Sequence, residues 1–213
     1  MSGKKPIAAG PAETPESGSR GHSSIDLIVV GTSMGGLRAL QILLTKFPAD
    51  FPVPLAVVQH RAKSSDDALS SFLQKWTRLR IHDAQDGELI KPGHVYLAPA
   101  DYHLLVERGR LTLSIEDPVQ YSRPSIDVLF ESAAEAYKSR LIGVVLTGAN
   151  ADGASGARKI KSRGGIVVVQ DPETAEARAM PEAAIATAKV DRIMPISKIA
   201  TFLITRCSAE VAG

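Results

Sequence analysis

The 213-residue chain has a single cysteine, Cys207. No disulfide can form within it, and nothing points to an oxidising compartment. Aromatic residues are scarce, at 5%. Charge of one sign is lacking too: 25 Lys+Arg stand against 23 Asp+Glu, for a formal net charge of +2. So even a balance excludes a case for nucleic-acid or membrane binding built on bulk charge. No apolar run reaches the ~18 residues that span a bilayer. The leading stretch MSGKKPIAAGPAETPESGSRGHSS has lysines but no apolar h-region, so it does not read as a secretory signal. No His/Cys/Asp cluster has ligand spacing, so no metal is implied, and no cofactor is expected. The expectation is a soluble, cytoplasmic protein without nucleic-acid partner or membrane insertion.

What is present is a 44% hydrophobic content dominated by Ala, Val, Ile and Leu, enough for one substantial core. Residues 1–24 hold four Gly, three Pro, five Ser and three Ala. Such a segment cannot bury surface, so a disordered tail is expected ahead of a single domain over 25–213. Ile25-Asp26-Leu27-Ile28-Val29-Val30 reads as a strand buried on both faces of a parallel sheet. Leu37, Leu40, Leu43 and Leu44 then give one apolar helix face. Val53 to Gln59 is a second buried strand, followed by a helix to about Trp76 with Ser65 or Asp66 as N-cap.

Strand, helix, strand, helix is the pattern of a parallel α/β sheet. In the middle of the chain, His94 to Pro99 reads as a short strand. Leu104–Glu107 and Leu111–Ile115 form an antiparallel hairpin around Arg108-Gly109-Arg110, as an edge insertion. Pro124-Ser125 opens a helix. Leu141–Leu146 and Ile166–Val169 are two more buried strands, and Ile199–Cys207 closes the fold as a helix. The architecture expected is three-layer α/β/α, a mostly parallel doubly wound sheet with a small hairpin insertion.

Gly31-Thr32-Ser33-Met34-Gly35 matches G-x-S-x-G between a strand and a helix, the context a nucleophile elbow requires. Small neighbours let the serine hydroxyl project, and free N–H groups at the helix start can hold an oxyanion. Two rivals stay open on these residues alone. One is a Gly-rich phosphate loop, disfavoured because Ser33 replaces the second glycine and Gln59-His60 replaces an acid at the second strand's tip. The other is a tight βα turn that only needs glycine. His60 lies just past the second strand, within reach of the first strand's end, since neighbouring strands stand ~4.8 Å apart. An imidazole there could take the Ser33 proton. His22, His82, His94 and His103 read as structural or solvated. Asp152, one acid in a loop between a buried strand and a helix, either caps that helix or orients the imidazole.

These stretches, with Asp86-Gly87, Pro92-Gly93-His94-Val95-Tyr96-Leu97-Ala98-Pro99, Arg123-Pro124-Ser125-Ile126-Asp127-Val128-Leu129-Phe130, Leu146-Thr147-Gly148, Asp152-Gly153 and Met180-Pro181, resemble the catalytic domain of the chemotaxis protein-glutamate methylesterases. The resemblance implies an α/β three-layer fold and a triad of Ser33, His60 and Asp152. It implies hydrolysis of glutamyl γ-methyl esters on chemoreceptor helices, with release of methanol and, in many members, glutamine deamidation. Backbone amides near Met34 and Gly148-Ala149 are the oxyanion candidates. The chain departs from the family pattern at Met34, at Arg61-Ala62 and at Ala149-Asn150-Ala151. No phosphoryl-receiver domain fits in 24 residues, so control by phosphorylation in cis is not expected, and a separate regulatory protein could act instead. A non-catalytic receptor-binding module and a small-molecule esterase are the alternative functions.

Overall fold

The computed structural model describes residues 25–61 and 68–208. The tail at 1–24 and the Ser65 or Asp66 cap lie outside the described residues. Along the chain the elements are β1 (Leu27–Thr32), α1 (Gly36–Leu44), β2 (Leu55–Gln59), α2 (Ala68–Gln74), β3 (Arg80–Asp83), β4 (His94–Leu97), β5 (His103–Glu107) and β6 (Arg110–Ser114). They continue as α3 (Ile126–Tyr137), β7 (Leu141–Val145), α4 (Ala154–Ser162), β8 (Ile166–Gln170), α5 (Ala179–Thr187), β9 (Arg192–Met194) and α6 (Ile196–Ser208). Seven strands form one sheet in the order β3-β4-β2-β1-β7-β8-β9, and every pair in it is parallel. The doubly wound three-layer architecture is therefore as expected.

Period-two alternation explains why β1 is apolar throughout. Ile28 and Val30 join the core formed with Leu40 and Leu43 of α1, Leu73 of α2 and Leu203 of α6. Leu27 and Val29 join the opposite core with Leu129 and Phe130 of α3, Ile160 of α4 and Ala184 of α5. A strand covered on both faces has no side free for polar residues.

His94–Leu97, read as a short strand, is β4, which sits inside the main sheet between β2 and β3 with Val95, Tyr96 and Leu97 all buried. The strands β3 and β9 escaped the sequence reading because each is three or four residues long and mostly polar or half-buried, as edge strands often are. The hairpin β5–β6 is a sheet of its own that packs on α3 through β5, rather than extending the main sheet's edge. Its turn is Arg108-Gly109, with Gly109 at φ 83, a backbone conformation that glycine adopts without steric cost.

The register positions the site. Thr32 pairs with Gln59 and Gly31 pairs with Val145, so the residues just beyond all three strands emerge side by side. From β1 the chain reaches β2 through α1 on one face, while α3 on the other face leads to β7, β1's other neighbour. This is a topological switch point, the position at which open α/β sheets form a crevice beyond their carboxyl ends.

The helices α3 and α4 meet closely at Gly156. A Cβ there would stand 2.4 Å from Phe130 Cβ and 3.3 Å from the Asp127 backbone. Helix propensity favours Ala over Gly by about 1 kcal/mol, but overpacking of a tight core costs about 1–3 kcal/mol or more. The clash is with a Cβ and with backbone, which cannot swing aside, so it wins. Gly156→Ala is expected to lower the melting temperature by a few degrees, read by thermal unfolding. An unchanged or raised value would show that α3 and α4 can separate freely.

Candidate active site

The three strand-end residues singled out by sequence lie at this crevice. His60 N–H donates to Thr32 O (3.0 Å) and Ser33 N–H donates to Thr147 O (3.0 Å), which extends the sheet's hydrogen bonding into the loops. Gln59 ties two of those loops together. Its Nε2 donates to Ser33 O (2.9 Å) and to His60 O (2.8 Å). The side chain fits because Gly36 has none: a Cβ at Gly36 would stand 2.0 Å from Gln59 Oε1.

Asp152 is fully buried and accepts four hydrogen bonds. His60 Nε2 donates to Oδ2 (2.8 Å), Ile126 N–H to Oδ2 (2.7 Å), Asp127 N–H to Oδ1 (2.9 Å) and Ser125 Oγ to Oδ1 (2.9 Å). Of the two readings left open for Asp152, the cap of the helix following it does not hold. Gly153 occupies that cap position, and Asp152 reaches back to the N-terminus of α3. The exchange is reciprocal: Asp127, in the first turn of α3, accepts from Gly153 N–H (2.9 Å) and Gly156 N–H (2.7 Å) at the start of α4. Each acid sits at the positive end of the other's helix, where backbone N–H groups lack intrahelical partners.

Burial pushes the Asp152 carboxyl up, but His60 and the backbone N–H groups of Asp127 and Ile126 outweigh it and hold the group below its ordinary value. Asp127 goes the other way. Burial raises it to about 6, against the opposing effect of the Gly156 N–H and helped by the nearby charges of Asp152 and Glu131. Two carboxyls in one polar knot are thereby split into a firmly ionised one and one that titrates near neutrality.

The imidazole of His60 is held from both sides. With Nε2 on Asp152, Nδ1 is the nitrogen left for chemistry, and Asn150 Nδ2 stands 3.4 Å from it. An amide N–H facing Nδ1 and a carboxylate facing Nε2 favour the same tautomer, protonated at Nε2. Among the described residues the Ser33 hydroxyl has no hydrogen-bond partner, so the structure joins His60 to Asp152 without joining Ser33 to His60. Asn150, Ser125, Gln59 and Asp127 were not singled out by function from sequence. The first lies in the stretch where the chain departs from the family pattern, and the others lie inside matching motifs.

The oxyanion candidates divide. Gly148 N–H donates to Ala177 O (3.0 Å), so it is withdrawn as a donor; a Cβ at Gly148 would also stand 2.5 Å from Met180 Cε. The N–H groups of Met34 and Ala149 have no partner among the described residues, and both residues are exposed. Thr147 Oγ1 donates to Met34 O (2.9 Å) and binds these two loops to one another. Of the remaining histidines, His103 is buried between Ser125 N–H and Asp117 O, while His82 pairs with Glu88. His22 lies outside the described residues. Among the described residues, no group of three or more His, Cys, Asp or Glu is placed to hold a metal, and no helix is long and apolar enough to cross a membrane.

The description "CheB methylesterase" belongs to the family model that matches residues 28–203. The chain belongs to that family. A Leptospira interrogans relative is 47% identical over 180 residues, which cover 84% of this chain and 93% of its own length. The protein-glutamate methylesterase/protein-glutamine glutaminase 1 of Carboxydothermus hydrogenoformans is 40% identical over 202 residues, 92% of this chain but 59% of that protein. The crystal structure of the Thermotoga maritima CheB methylesterase catalytic domain superposes with a TM-score of 0.81 at 38% identity, covering 86% of this chain and 99% of that one. The chain thus spans nearly the whole of one relative and little more than half of others.

The split between the two carboxyls gives a pH test. A group raised in the folded state stabilises the fold below its unfolded value and loses that contribution as pH rises through its folded value, here about 6. Asp127→Asn keeps an oxygen for the two glycine N–H groups and removes the titration. The melting temperature of the variant minus that of the parent is expected to become more positive from pH 5 to pH 7. A difference that stays flat over that range would mean that Asp127 does not titrate there. The Asp152 contribution has the opposite sign: it is present at neutral pH and lost on acidification below the ordinary carboxyl range.

Proposed function

We propose that the chain is a protein-glutamate methylesterase using Ser33 as nucleophile, His60 as general base and acid, and Asp152 as the orienting acid, with residues 25–213 as the catalytic unit. The observation that carries this reading is the buried Asp152 carboxylate holding His60 Nε2 at 2.8 Å beside the Ser33 strand end, in a chain of this family. The substrate is a protein-bound glutamyl γ-methyl ester, as the names of the relatives suggest; the family resemblance points to a chemoreceptor helix as its carrier, and a cytoplasmic location follows from such a partner.

Ser33 Oγ attacks the ester carbonyl while its proton passes to His60 Nδ1. Asp152, kept ionised by its four donors, stabilises the imidazolium without taking the proton. Negative charge gathers on the carbonyl oxygen, and the free N–H groups of Met34 and Ala149 are the donors offered to it. His60 Nδ1 then returns the proton to the methoxy oxygen, and methanol leaves the acyl-enzyme. Water, deprotonated by the same nitrogen, attacks the acyl carbon and releases the glutamate carboxylate and Ser33. The same steps on a glutamine amide release ammonia. The Ser33–His60 contact is one that forms with substrate, as is common for catalytic hydrogen bonds.

Graded variants test the assignment. Ser33→Ala should abolish methanol release from methylated receptor at an unchanged melting temperature, because a half-buried strand-end hydroxyl without a partner carries little stability. His60→Ala should be about as severe, since the pair acts as a unit. Asp152→Asn should cost on the order of 10⁴-fold in kcat by favouring the wrong imidazole tautomer. Asp152→Ala should also lower the melting temperature, since it strands four buried donors at about 1 kcal/mol or more each. A folded Ser33→Ala variant with full activity would reject the mechanism. Failure of the parent chain both to release methanol and to react with a serine-directed phosphonate would favour a binding module.

A further inference from the structure

Beside His60 lies a cavity of about 250 Å³ lined by Arg61, Pro118, Tyr121, Ser122, Arg123 and Pro124. It is smaller than the ~300–1,000 Å³ typical of sites for whole small molecules. That size suits one side chain entering from a polypeptide that stays outside. Its rim is a tight turn. Val119 and Ser122 exchange backbone hydrogen bonds (3.2 and 2.9 Å), and the two residues between them, Gln120 and Tyr121, have φ 48 and φ 62. Two consecutive left-handed residues mark a type I′ hairpin turn, which ordinarily takes Asn-Gly. Here it takes two residues with long side chains, in a conformation they hold only when surrounding contacts enforce it.

Those contacts are present on both flanks. Gln120 Nε2 donates to the buried Asp127 Oδ2 (2.7 Å). Arg123 donates to Asp101 Oδ1 through Nε and Nη2 (3.0 and 2.7 Å), and to the carbonyls of Ile115 and Glu116 through Nη1 (2.7 and 2.9 Å). Tyr121 itself is fully exposed and has no hydrogen bond or ring contact among the described residues. No described residue therefore uses its side chain, while the fold holds its backbone in an unfavourable conformation at the rim of the His60 cavity. Strain of this kind concentrates where a side chain is presented to a ligand.

We propose that Tyr121 is a specificity-determining residue that packs its ring against the polypeptide carrying the ester, with Gln120 anchoring it on Asp127. This rests on the methylesterase reading above. Tyrosine suits the role: it offers a large, amphipathic contact surface and is enriched among the residues that dominate protein–protein binding.

The test compares a synthetic helical peptide bearing one glutamyl γ-methyl ester with the small soluble ester p-nitrophenyl acetate. Tyr121→Gly removes the ring and relieves the left-handed backbone. It is expected to raise KM for the peptide roughly tenfold, the effect of losing one good aromatic contact, while leaving the peptide kcat, turnover of the aryl ester and reaction with a serine-directed phosphonate unchanged. Its melting temperature should be unchanged or higher, because glycine accepts a positive φ without cost. Tyr121→Phe should keep the parental KM. An unchanged peptide KM in Tyr121→Gly overturns the proposal. So does a lower melting temperature with both substrates slowed alike, which marks a structural role. If the parent chain turns over the aryl ester but releases no methanol from the peptide, the methylesterase reading fails first and the proposal falls with it.

Discussion

One carboxylate holds the crevice together. Asp152 collects the His60 ring, the Ser125 hydroxyl and two N–H groups at the start of α3. A buried anion survives only with such a complement of donors, since an unpaired one would cost far more than a single hydrogen bond returns. Its counterpart Asp127 does the same for the start of α4. Two of the helices that cover one face of the sheet, α3 and α4, are thus locked to one another through the loop that carries Asp152. Fold and site share this knot, so a change at either acid affects the melting temperature as well as the imidazole.

The remaining positioning is backbone work. Gln59 bridges the two loops that hold Ser33 and His60, and it can do so because Gly36 leaves the space. Thr147 fastens the loop after β7 to Met34. The outcome is a Ser33 strand end whose loop is fixed at several points and whose hydroxyl has no hydrogen-bond partner among the described residues. Next to it lie the amide groups of Met34 and Ala149, which have no partner among the described residues. Preorganised dipoles aimed at an open position are what acyl-transfer chemistry requires. The Tyr121 turn adds a rim anchored through Gln120 and Arg123, with an exposed tyrosine side chain that makes no hydrogen bond or ring contact among the described residues.

Much was legible in the chain itself. A fully apolar run, a G-x-S-x-G turn and an apolar helix face determine β1, the turn after it and α1, because strand burial on two faces and helix burial on one leave different periodicities. Parallel pairing then brings strand ends together whatever the details, so the proximity of positions 33, 60 and 152 follows from where each lies relative to its strand. Period and position are properties of the local sequence, which is why reading them succeeds.

Tertiary structure alone decided the partners. Whether Asp152 caps the helix after it or the one 26 residues before it depends on how α3 docks, which no local pattern encodes. The same holds for the choice of Nε2 over Nδ1 as the anchored nitrogen of His60, and for the Asn150 amide beside the other. Gly148 looked like an oxyanion donor until Ala177, 29 positions along the chain, claimed its N–H. Leu37 continues the apolar stripe of α1 yet is 42% exposed. The short strands β3 and β9 exist only because a neighbour is there to pair with them. Sequence sets which residues can bury or bond, whereas only the packed chain sets which of several competing donors and acceptors lie within 3 Å of one another.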